Sequence, residues 1–335
     1  MARVVQVENG IGRRVALVEE PNLRLLEGVR STHAMAAMAI ATGESLTALV
    51  RRLATGEALD YDPIYEGRSA WRLLPPLDHP EEPARCIVSG TGLTHLGSAT
   101  ARDAMHQKLN EQDAELSDSM KMFKSGVEGG KPTGSTPGAQ PEWFYKGNGG
   151  NVVASGQPLL SPDFAEDHGE EPELVGCYLI DDRGRPRRLG FALGNEFSDH
   201  VTERRNYLLL AHSKLRQCGV GPMLNTGVLP AHLEGTSRIR RGGQVLWQKP
   251  FLTGEGNMSH SFANLEYHHF KYKQHRVPGD VHLHFFGTAT LSFVDNIKVE
   301  PGDEFEIDLP ALGAPLSNPL AVEPGGHALD GTQVL

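Results

Sequence analysis

The sequence predicts an α+β protein that is mostly β, with a small N-terminal α+β domain. Three observations support this prediction. From Leu224 onward, short apolar runs alternate with Gly- and Pro-containing turns at 241–243, 278–280 and 301–303. Residues 1–30 show the same alternation. Residues 58–82 are Pro-rich and irregular, which places a boundary near residue 80, between a domain at 1–80 and a larger one at 81–335.

Charge and cysteine content exclude several classes of protein. The formal net charge of −10 over 335 residues disfavours non-specific binding to nucleic acid, because phosphate contacts need clustered Lys and Arg. Three cysteines without a CxxC pair argue against a disulfide framework and against a zinc ribbon. The N-terminus lacks a long apolar region, and the apolar stretch 34–41 is too short to span a bilayer. We therefore expect a cytoplasmic enzyme with no nucleic-acid or membrane partner.

The N-terminal region contains strand patterns and one helical pattern. Strands are predicted at 3–7, 14–19 and 23–26, separated by Gly and Pro turns. From about 31 to 54, Ala, Met and Leu recur at helical spacing, and Ser31 or Thr32 is a suitable N-cap. The predicted order is therefore strands followed by one long helix.

The next region begins the larger domain. A strand at 85–89 leads into a Gly-rich segment at 90–95, and a helix carrying Asp103 and His106 is predicted at 99–115. Residues 117–140 are rich in Gly, Ser and Pro and have little periodicity. Such a segment is typical of a lid over a site or of a plain surface loop, and its spacing does not separate the two.

The C-terminal half is predicted to alternate helices with strands. Helices are expected at 201–212 and 257–272, and strands at 236–240, 245–248, 281–286, 288–293 and 304–309. The second helix carries His260, His268 and His269. Several histidines on one helix are explained by a polar face as well as by a site.

An acidic hairpin at 170–199 is the strongest candidate site. Glu171 and Glu173 are two residues apart, so on a strand both side chains point to the same face. After a turn at 181–184, the returning strand ends at Asn195 and Glu196. Three carboxylates at one end of a sheet suit a hard divalent cation with open positions for water or substrate. The alternative is a solvated acidic strand end.

The order of several segments resembles the fumarylacetoacetate hydrolase superfamily. The segments are GTGLTHLGSATARDAMH, FYKG, the Glu171-Pro172-Glu173 triplet, PGDVHLHFFGTAT and PGDEFEIDLPALGAPLSNPL. The resemblance covers residues 84–322 and is strongest to a bacterial sugar-acid branch that includes 2-keto-3-deoxy-pentonate dehydratases. It implies a rolled mixed β-sheet or β-barrel-like core and a homodimer or higher homo-oligomer.

The resemblance also implies a set of site residues. Mg²⁺, with Mn²⁺ or Ca²⁺ as alternatives, would be held by Glu171, Glu173 and Glu196. Relatives commonly carry Asp at the third position, and Asp199 is the alternative ligand here. The family's catalytic lysine ahead of a Gly-Pro pair corresponds to Lys214, although His212 stands at the usual spacing from Gly221-Pro222. His106, with His95 second, corresponds to a histidine on a lid or helix over the metal, and we give His106 a catalytic role. Substrate contacts are assigned to Lys146, Thr288 and His95.

The implied chemistry is dehydration of a 2-keto-3-deoxy sugar acid. A metal on three carboxylates keeps about three of six octahedral positions open, which a 2-oxo acid can fill with its keto and carboxylate oxygens. The metal acts as a Lewis acid and stabilises the enolate formed when the C3 proton leaves. Loss of the C4 hydroxyl and tautomerisation give 2-oxoglutarate semialdehyde. Alternatives are a Mg²⁺-dependent diketo-acid hydrolase, an oxaloacetate decarboxylase and a non-catalytic sugar-acid-binding protein.

Overall fold

Strands form most of the regular structure. The structure is a computed structural model and describes residues 1–97, 116–326 and 331–335. In the described part of the chain, the strands are β1 (Arg3–Asn9), β2 (Gly12–Glu19), β3 (Asn22–Leu25), β4 (Ala58–Asp60), β5 (Arg72–Leu74), β6 (Cys86–Gly90), β7 (Phe144–Asn148), β8 (Val152–Val153), β9 (Leu159–Ser161), β10 (Pro172–Ile180), β11 (Pro186–Asn195), β12 (Cys218–Asn225), β13 (Leu233–Arg241), β14 (Gln244–Thr253), β15 (Val281–Phe285), β16 (Glu304–Asp308) and β17 (Leu316–Val322).

These strands build two mixed sheets. The larger sheet has the order β4-β3-β2-β1-β12-β11-β10-β15-β6-β7, with β5 paired to β1 and β8 paired to β12. The smaller sheet has the order β14-β13-β16-β17-β9. Within the described residues neither order returns to its first strand, so neither sheet is a closed barrel. The prediction of a mainly β, α+β protein is confirmed, but the barrel-like core is not observed.

The helices are short. Within the described ranges they are α1 (Thr32–Thr42), α2 (Leu46–Leu53), α3 (Tyr61–Tyr65), α4 (Asp118–Gly129), α5 (His200–Arg205), α6 (Leu210–Lys214) and α7 (Phe262–Phe270). In the part of the chain that is described, no single helix is long and apolar enough to cross a membrane, and only the bent pair α1–α2 meets those criteria jointly.

The predicted single helix at 31–54 is wrong in its middle. Ser31 is the N-cap of α1, since its Oγ accepts a hydrogen bond from the backbone N–H of Ala34 at 3.0 Å. Gly43 then ends α1 in the left-handed region at φ 69°, and α2 continues at a bend of 113°. A glycine at the C-terminal end of a helix breaks the helix, yet the apolar spacing of the sequence continues past it, so the spacing alone did not reveal the break.

The N-terminal strands continue the large sheet. Arg3 and Val4 of β1 pair with Asn225 and Leu224 of β12 in antiparallel register. Most apolar side chains of β1–β3 and α1–α3 form two clusters, but Ala36 of α1 packs in the cluster that contains Val175 and Cys177 of β10. The division at residue 80 stays a prediction, since the N-terminal elements share the large sheet and one apolar cluster with the rest of the chain.

Several other local predictions need correction. Residues 117–140 are not wholly irregular, because α4 occupies half of this segment. The predicted strand at 288–293 is not formed, and a 3-10 helix spans Ser292–Asp295 instead. The predicted helix at 201–212 is divided into α5 and α6 near Asn206, and α7 is shorter than 257–272. Strand β12 was missed because it contains Gly221-Pro222. The predicted helix at 99–115 lies outside the described residues.

The hairpin β10–β11 lies at the centre of the large sheet. Every residue of β10 is buried, because its two faces contact two different apolar clusters. Leu174, Tyr178 and Ile180 belong to one cluster, and Val175 and Cys177 to the other. Pro172 pairs with Asn195 at the open end of the hairpin. The glutamates next to this pair are therefore held inside the protein rather than at a solvated strand end.

Asp181 fixes the turn of this hairpin. Its Oδ1 accepts hydrogen bonds from the backbone N–H groups of Arg183 and Arg185, both at 2.9 Å, and Oδ2 accepts from Arg187 Nε at 2.9 Å. These donors lower the pKa of Asp181 to about 2 against the opposing effect of burial. Arg188 pairs with Glu266 at 2.6 Å. Much of the basic cluster at 183–188 is thus engaged in stabilising the hairpin.

Candidate active site

Three glutamates meet at the open end of the β10–β11 hairpin. Glu171, Glu173 and Glu196 are 7%, 1% and 1% exposed, and one carboxylate oxygen from each lies within 4.8 Å of the others. Backbone hydrogen bonds hold the two chain segments together, since Glu196 N–H donates to Glu171 O at 2.9 Å and Glu171 N–H donates to Asn195 Oδ1 at 3.2 Å. We call these three residues the glutamate triad.

The charge of the triad is only partly compensated by neighbouring groups. Glu173 Oε2 accepts a hydrogen bond from the backbone N–H of Gly287 at 2.6 Å. Glu173 Oε1 and Glu196 Oε1 are buried and accept no hydrogen bond from the described residues. Burial, with the like charges of the other two carboxylates, raises the pKa of Glu173 well above its usual value. Burial also raises the pKa of Glu196 to about 7, although Lys214 opposes this shift.

A divalent cation fits this environment. Buried carboxylate oxygens without donors are costly, and hard cations such as Mg²⁺, Mn²⁺ or Ca²⁺ coordinate such oxygens. Within the described ranges, the triad is the group of His, Cys, Asp and Glu side chains that has metal-binding spacing. The donor set is therefore compatible with the cofactors that the sequence predicts.

Lys214 contributes an ammonium group to the triad. Its Nζ donates to Glu171 Oε1 at 2.5 Å, to Glu196 Oε2 at 3.3 Å and to Ser198 Oγ at 3.2 Å. The same nitrogen lies 3.9 Å from Glu203 Oε2. It also lies 5.2 Å from the centre of the Phe144 ring, within the range of a cation–π contact. The residue predicted to be catalytic is thus placed directly beside the predicted metal ligands.

Lys146 is buried and binds mainly backbone. Its Nζ donates to the carbonyl oxygens of Phe197 at 2.6 Å and Lys214 at 3.0 Å. The ammonium also lies 3.8 Å from Glu196 Oε1. Burial lowers the pKa of Lys146, against the opposing effect of Glu196. Lys146 thus joins the segment after β11 to the end of α6. Its predicted contact with substrate stays a prediction.

Three further residues were predicted to belong to the site, and two of them are described by the structure. Thr288 is half-buried and follows Gly287, whose amide binds Glu173. His95 is buried; its ring contacts Thr253 Oγ1 at 3.0 Å, and burial lowers its pKa to about 3. His106 lies outside the described residues. The roles of Thr288, His95 and His106 stay predictions.

Asp199, the alternative ligand, is engaged in other contacts. Its Oδ2 accepts hydrogen bonds from Arg216 Nη2 at 2.9 Å and from the backbone N–H of Glu166 at 3.0 Å. Its Oδ1 caps α5 through the backbone N–H of Thr202 at 2.9 Å. Asp199 is not part of the triad's group of close oxygens. The longer Glu196 is the residue that joins Glu171 and Glu173.

Sequence reasoning missed a histidine that contacts the triad. His200 is fully buried, and its Nε2 lies 2.8 Å from Glu171 Oε1 while its Nδ1 lies 3.2 Å from Asp167 Oδ2. These two carboxylates raise the pKa of His200 to about 10, against the effect of burial. Although burial acts in the opposite direction, Lys214 and His200 hold the pKa of Glu171 well below its usual value. The only signal in the sequence was that His200 follows Asp199 near the end of the acidic hairpin.

A second group of histidines packs inside the protein. His269, His275, His282 and His284, which we call the histidine cluster, are all buried. Trp143 Nε1 donates to His269 Nδ1 at 3.2 Å, and His269 Nε2 lies 2.9 Å from His282 Nδ1. Burial lowers the pKa of both His282 and His284 to about 3. Of the two alternatives for the histidines of this helix, the polar face does not apply to His269, which is buried.

A cavity of about 380 Å³ lies next to the segment that carries Lys214. Leu210, the first residue of α6, lines it, as does Trp143, which precedes Phe144. Its lining is largely aromatic and apolar, and it does not include the triad. The cavity is thus a neighbour of the site rather than the site itself.

Comparison with known proteins supports the fold. No protein-family model and no curated protein matches the chain. Solved structures of 2-keto-3-deoxy-D-arabinonate dehydratase match with a TM-score of 0.70 and 18% identity, over 96% of this chain and 100% of theirs. One of them is complexed with magnesium and 2,5-dioxopentanoate.

Two isomerase structures match less closely. A 5-carboxymethyl-2-hydroxymuconate delta-isomerase from Mycobacterium smegmatis has a TM-score of 0.55 and 16% identity, over 96% of this chain and 100% of that one. A 2-hydroxyhepta-2,4-diene-1,7-dioate isomerase from Mycobacterium marinum has a TM-score of 0.56 and 17% identity, over 97% of this chain and 100% of that one. Together these likenesses confirm the resemblance to a fumarylacetoacetate hydrolase-like fold.

Proposed function

We propose that the protein is a Mg²⁺-dependent dehydratase that converts a 2-keto-3-deoxy-pentonate into 2-oxoglutarate semialdehyde and water. The observation that carries the proposal is the buried glutamate triad with the Lys214 ammonium 2.5 Å from Glu171. A site of this kind combines oxygen ligands for a hard cation with a group that exchanges protons. The similarity to the dehydratase structures supports the choice of reaction.

The triad would hold the cation, and the chain would supply the rest. A divalent cation bound there would polarise the keto and carboxylate oxygens of a 2-oxo acid. Glu171, Glu173 and Glu196 are the ligands because their oxygens are buried and close together. We assign the contact with the substrate carboxylate to the half-buried Thr288, and the support is its position next to the amide that binds Glu173.

We assign to Lys214, in its neutral amine form, the role of the base that takes the proton from C3. The C3–H bond breaks, and its electron pair forms the C3–C4 double bond as the C4 hydroxyl leaves and is protonated to water. Movement of a hydrogen from C5 to C3 then gives an enol with a C4–C5 double bond, and transfer of the enol O–H proton to C4 gives the aldehyde. His106, which lies outside the described residues, is our candidate acid for the C4 hydroxyl. Lys146 keeps the backbone of Lys214 in place through its 3.0 Å hydrogen bond. We also assign to Lys146, after Thr288, a contact with the substrate carboxylate.

The assay follows the aldehyde product. Purified protein is incubated with 2-keto-3-deoxy-pentonate and MgCl₂, and a semialdehyde dehydrogenase couples product formation to NAD reduction. We expect turnover that stops with EDTA and returns with excess Mg²⁺, and Mn²⁺ and Ca²⁺ are compared. Thermal stabilisation by the sugar acid without turnover would instead indicate a binding protein. Pyruvate release from an acylpyruvate would indicate a hydrolase.

The ligand assignment has a separate test. We expect the Glu171→Gln, Glu173→Gln double variant to lose activity and all response to Mg²⁺ while it keeps its circular dichroism spectrum. The matched control is Glu166→Gln, which makes the same chemical change at a surface ion pair with Arg205. Full activity in the double variant would contradict the assignment.

We further propose that the protein is cytoplasmic and forms a homodimer or a higher homo-oligomer. The support for this proposal is the family resemblance. Sedimentation equilibrium would measure the mass, for which the monomer value is 36.4 kDa. A monomer at micromolar concentration would contradict it.

A further inference from the structure

We propose that His200, held by Asp167, is a positioning residue for Glu171 and sets the affinity of the glutamate triad for a divalent cation. The inference rests on the proposed function, because it takes the triad to be a cation site. It goes further in assigning a role to two residues that have no part in the proposed reaction.

The contacts of the His200 ring point to this role. Both ring nitrogens face carboxylates, with Nε2 at 2.8 Å from Glu171 Oε1 and Nδ1 at 3.2 Å from Asp167 Oδ2. An ionised carboxylate only accepts hydrogen bonds, so the ring donates toward each of them. The arrangement Asp167–His200–Glu171 therefore links a ligand of the triad to a residue outside it.

The ring has little freedom to move away. The backbone N–H of His200 also donates to Asp167 Oδ2 at 3.2 Å, so one carboxylate holds both the ring and the start of α5. The Phe293 ring packs against the imidazole at 5.2 Å between centres. Gly169 lies so close to Nδ1 that a Cβ there would overlap the ring. Reciprocal backbone hydrogen bonds of 3.0 Å between Gly169 and Ser198 keep the two segments together.

A fixed Glu171 is needed because the triad repels itself. Its three carboxylates lie within 4.8 Å of one another, and a glutamate side chain has several rotatable bonds by which it can turn away. His200 and Lys214 both bind Oε1 and so restrict the orientation of this carboxylate. Partners that orient metal ligands typically change metal affinity 10–100-fold when they are removed.

The experiment measures cation binding without substrate. Protein stripped with EDTA and dialysed is titrated with MgCl₂ and with MnCl₂ by isothermal calorimetry. The variants are His200→Ala, His200→Gln and Asp167→Asn. The matched control is His168→Ala, a nearby histidine that contacts Ser161 Oγ at 2.8 Å.

We expect the dissociation constant to rise about 10–100-fold in His200→Ala. His200→Gln, whose amide nitrogen can take the place of Nε2, should recover most of this loss. Asp167→Asn should fall between them, and His168→Ala should match the wild type. In turnover assays, the Mg²⁺ concentration for half-maximal rate should rise by the same factor, while KM for the 2-oxo acid at saturating Mg²⁺ stays unchanged.

A folded His200→Ala protein with wild-type cation affinity would overturn the inference. If that variant does not fold, wild-type affinity in Asp167→Asn would overturn it as well. Failure of the proposed function would give a different result. If the wild type shows no turnover but His200→Ala still loses cation affinity, the inference stands without the proposed reaction. A wild type that binds no divalent cation would overturn both.

Discussion

Lys146 offers a sharp test of whether a buried lysine supports the site or contacts the substrate. In Lys146→Met the side chain keeps a similar shape, but the carbonyls of Phe197 and Lys214 lose a donor that lies 2.6 and 3.0 Å away. The residue is 0% exposed, so water does not readily replace the ammonium. Glu196 also loses a positive charge at 3.8 Å.

The size of the effect follows from these contacts. A buried polar group left without its partner costs about 1–3 kcal/mol, so two carbonyls reduce the free energy of unfolding by about 2–6 kcal/mol. Unfolding entropy of about 2.1 cal/mol/K per residue, for a chain of 335 residues, amounts to about 0.7 kcal/mol/K. The melting temperature should therefore fall by roughly 3–9 °C.

The measurement is differential scanning calorimetry in EDTA and in MgCl₂, together with KM and kcat. The control is Lys121→Met, a lysine that is 58% exposed and pairs with Asp118, for which we expect a change within about 1 °C. If Lys146→Met melts like the wild type and only KM for the substrate rises, then Lys146 is a substrate ligand and the structural reasoning is refuted.

Three further predictions concern the triad, the histidine cluster and a glycine. Glu173→Gln should raise the melting temperature of the EDTA-treated protein, because it removes like-charge repulsion, and should abolish the rise that Mg²⁺ causes; an unchanged Mg²⁺ response would contradict this. Acid should destabilise the histidine cluster, because folded pKa values of about 3 for His282 and His284 lie below the unfolded value of about 6.5. The contribution of these two rings to the free energy of unfolding is complete above pH 6.5 and is lost as the pH falls toward 3. At pH 5 the loss is about 2 kcal/mol for each ring that stays neutral in the folded protein. Urea unfolding at pH 7 and at pH 5 should show a smaller loss in His284→Gln than in the wild type. Gly169→Ala should displace the His200 ring and weaken Mg²⁺ binding in the same titration, whereas unchanged affinity would show that the ring can shift freely.

The metal-ligating residues of the site were predictable because their signal is local. Glu171 and Glu173 share a strand face by the two-residue period, and Glu196 follows the returning strand of the same hairpin. Their meeting within 4.8 Å needs only that one hairpin pairs in register. The alternative of a solvated strand end fails for a reason outside the hairpin, since β12 and β15 pair with its two strands and place it in the middle of the large sheet.

The residues around the ligands could not be found in this way. Asp167 and His200 are 33 residues apart and meet through a single bridge between Gly169 and Ser198, which follows no periodic pattern. Lys146 has an apolar neighbourhood in sequence, yet its ammonium is directed to two carbonyls that come from distant segments. Helix ends at Gly43 and Asn206 were missed for a related reason: the apolar spacing continues across them while the backbone direction changes.

The placement of the ligands and of Lys214 on different kinds of element has a consequence for inactivation. The triad flanks the central hairpin, in which all nine residues of β10 are buried. Lys214 ends a five-residue helix in a segment where Leu208 is 85% exposed. Proteins open locally at free energies that vary along the chain, and segments with few buried contacts open first. Opening of residues 207–214 would withdraw the lysine while His200 and the hairpin stay in place, so mild denaturant should stop proton exchange at the substrate well before the sheet unfolds.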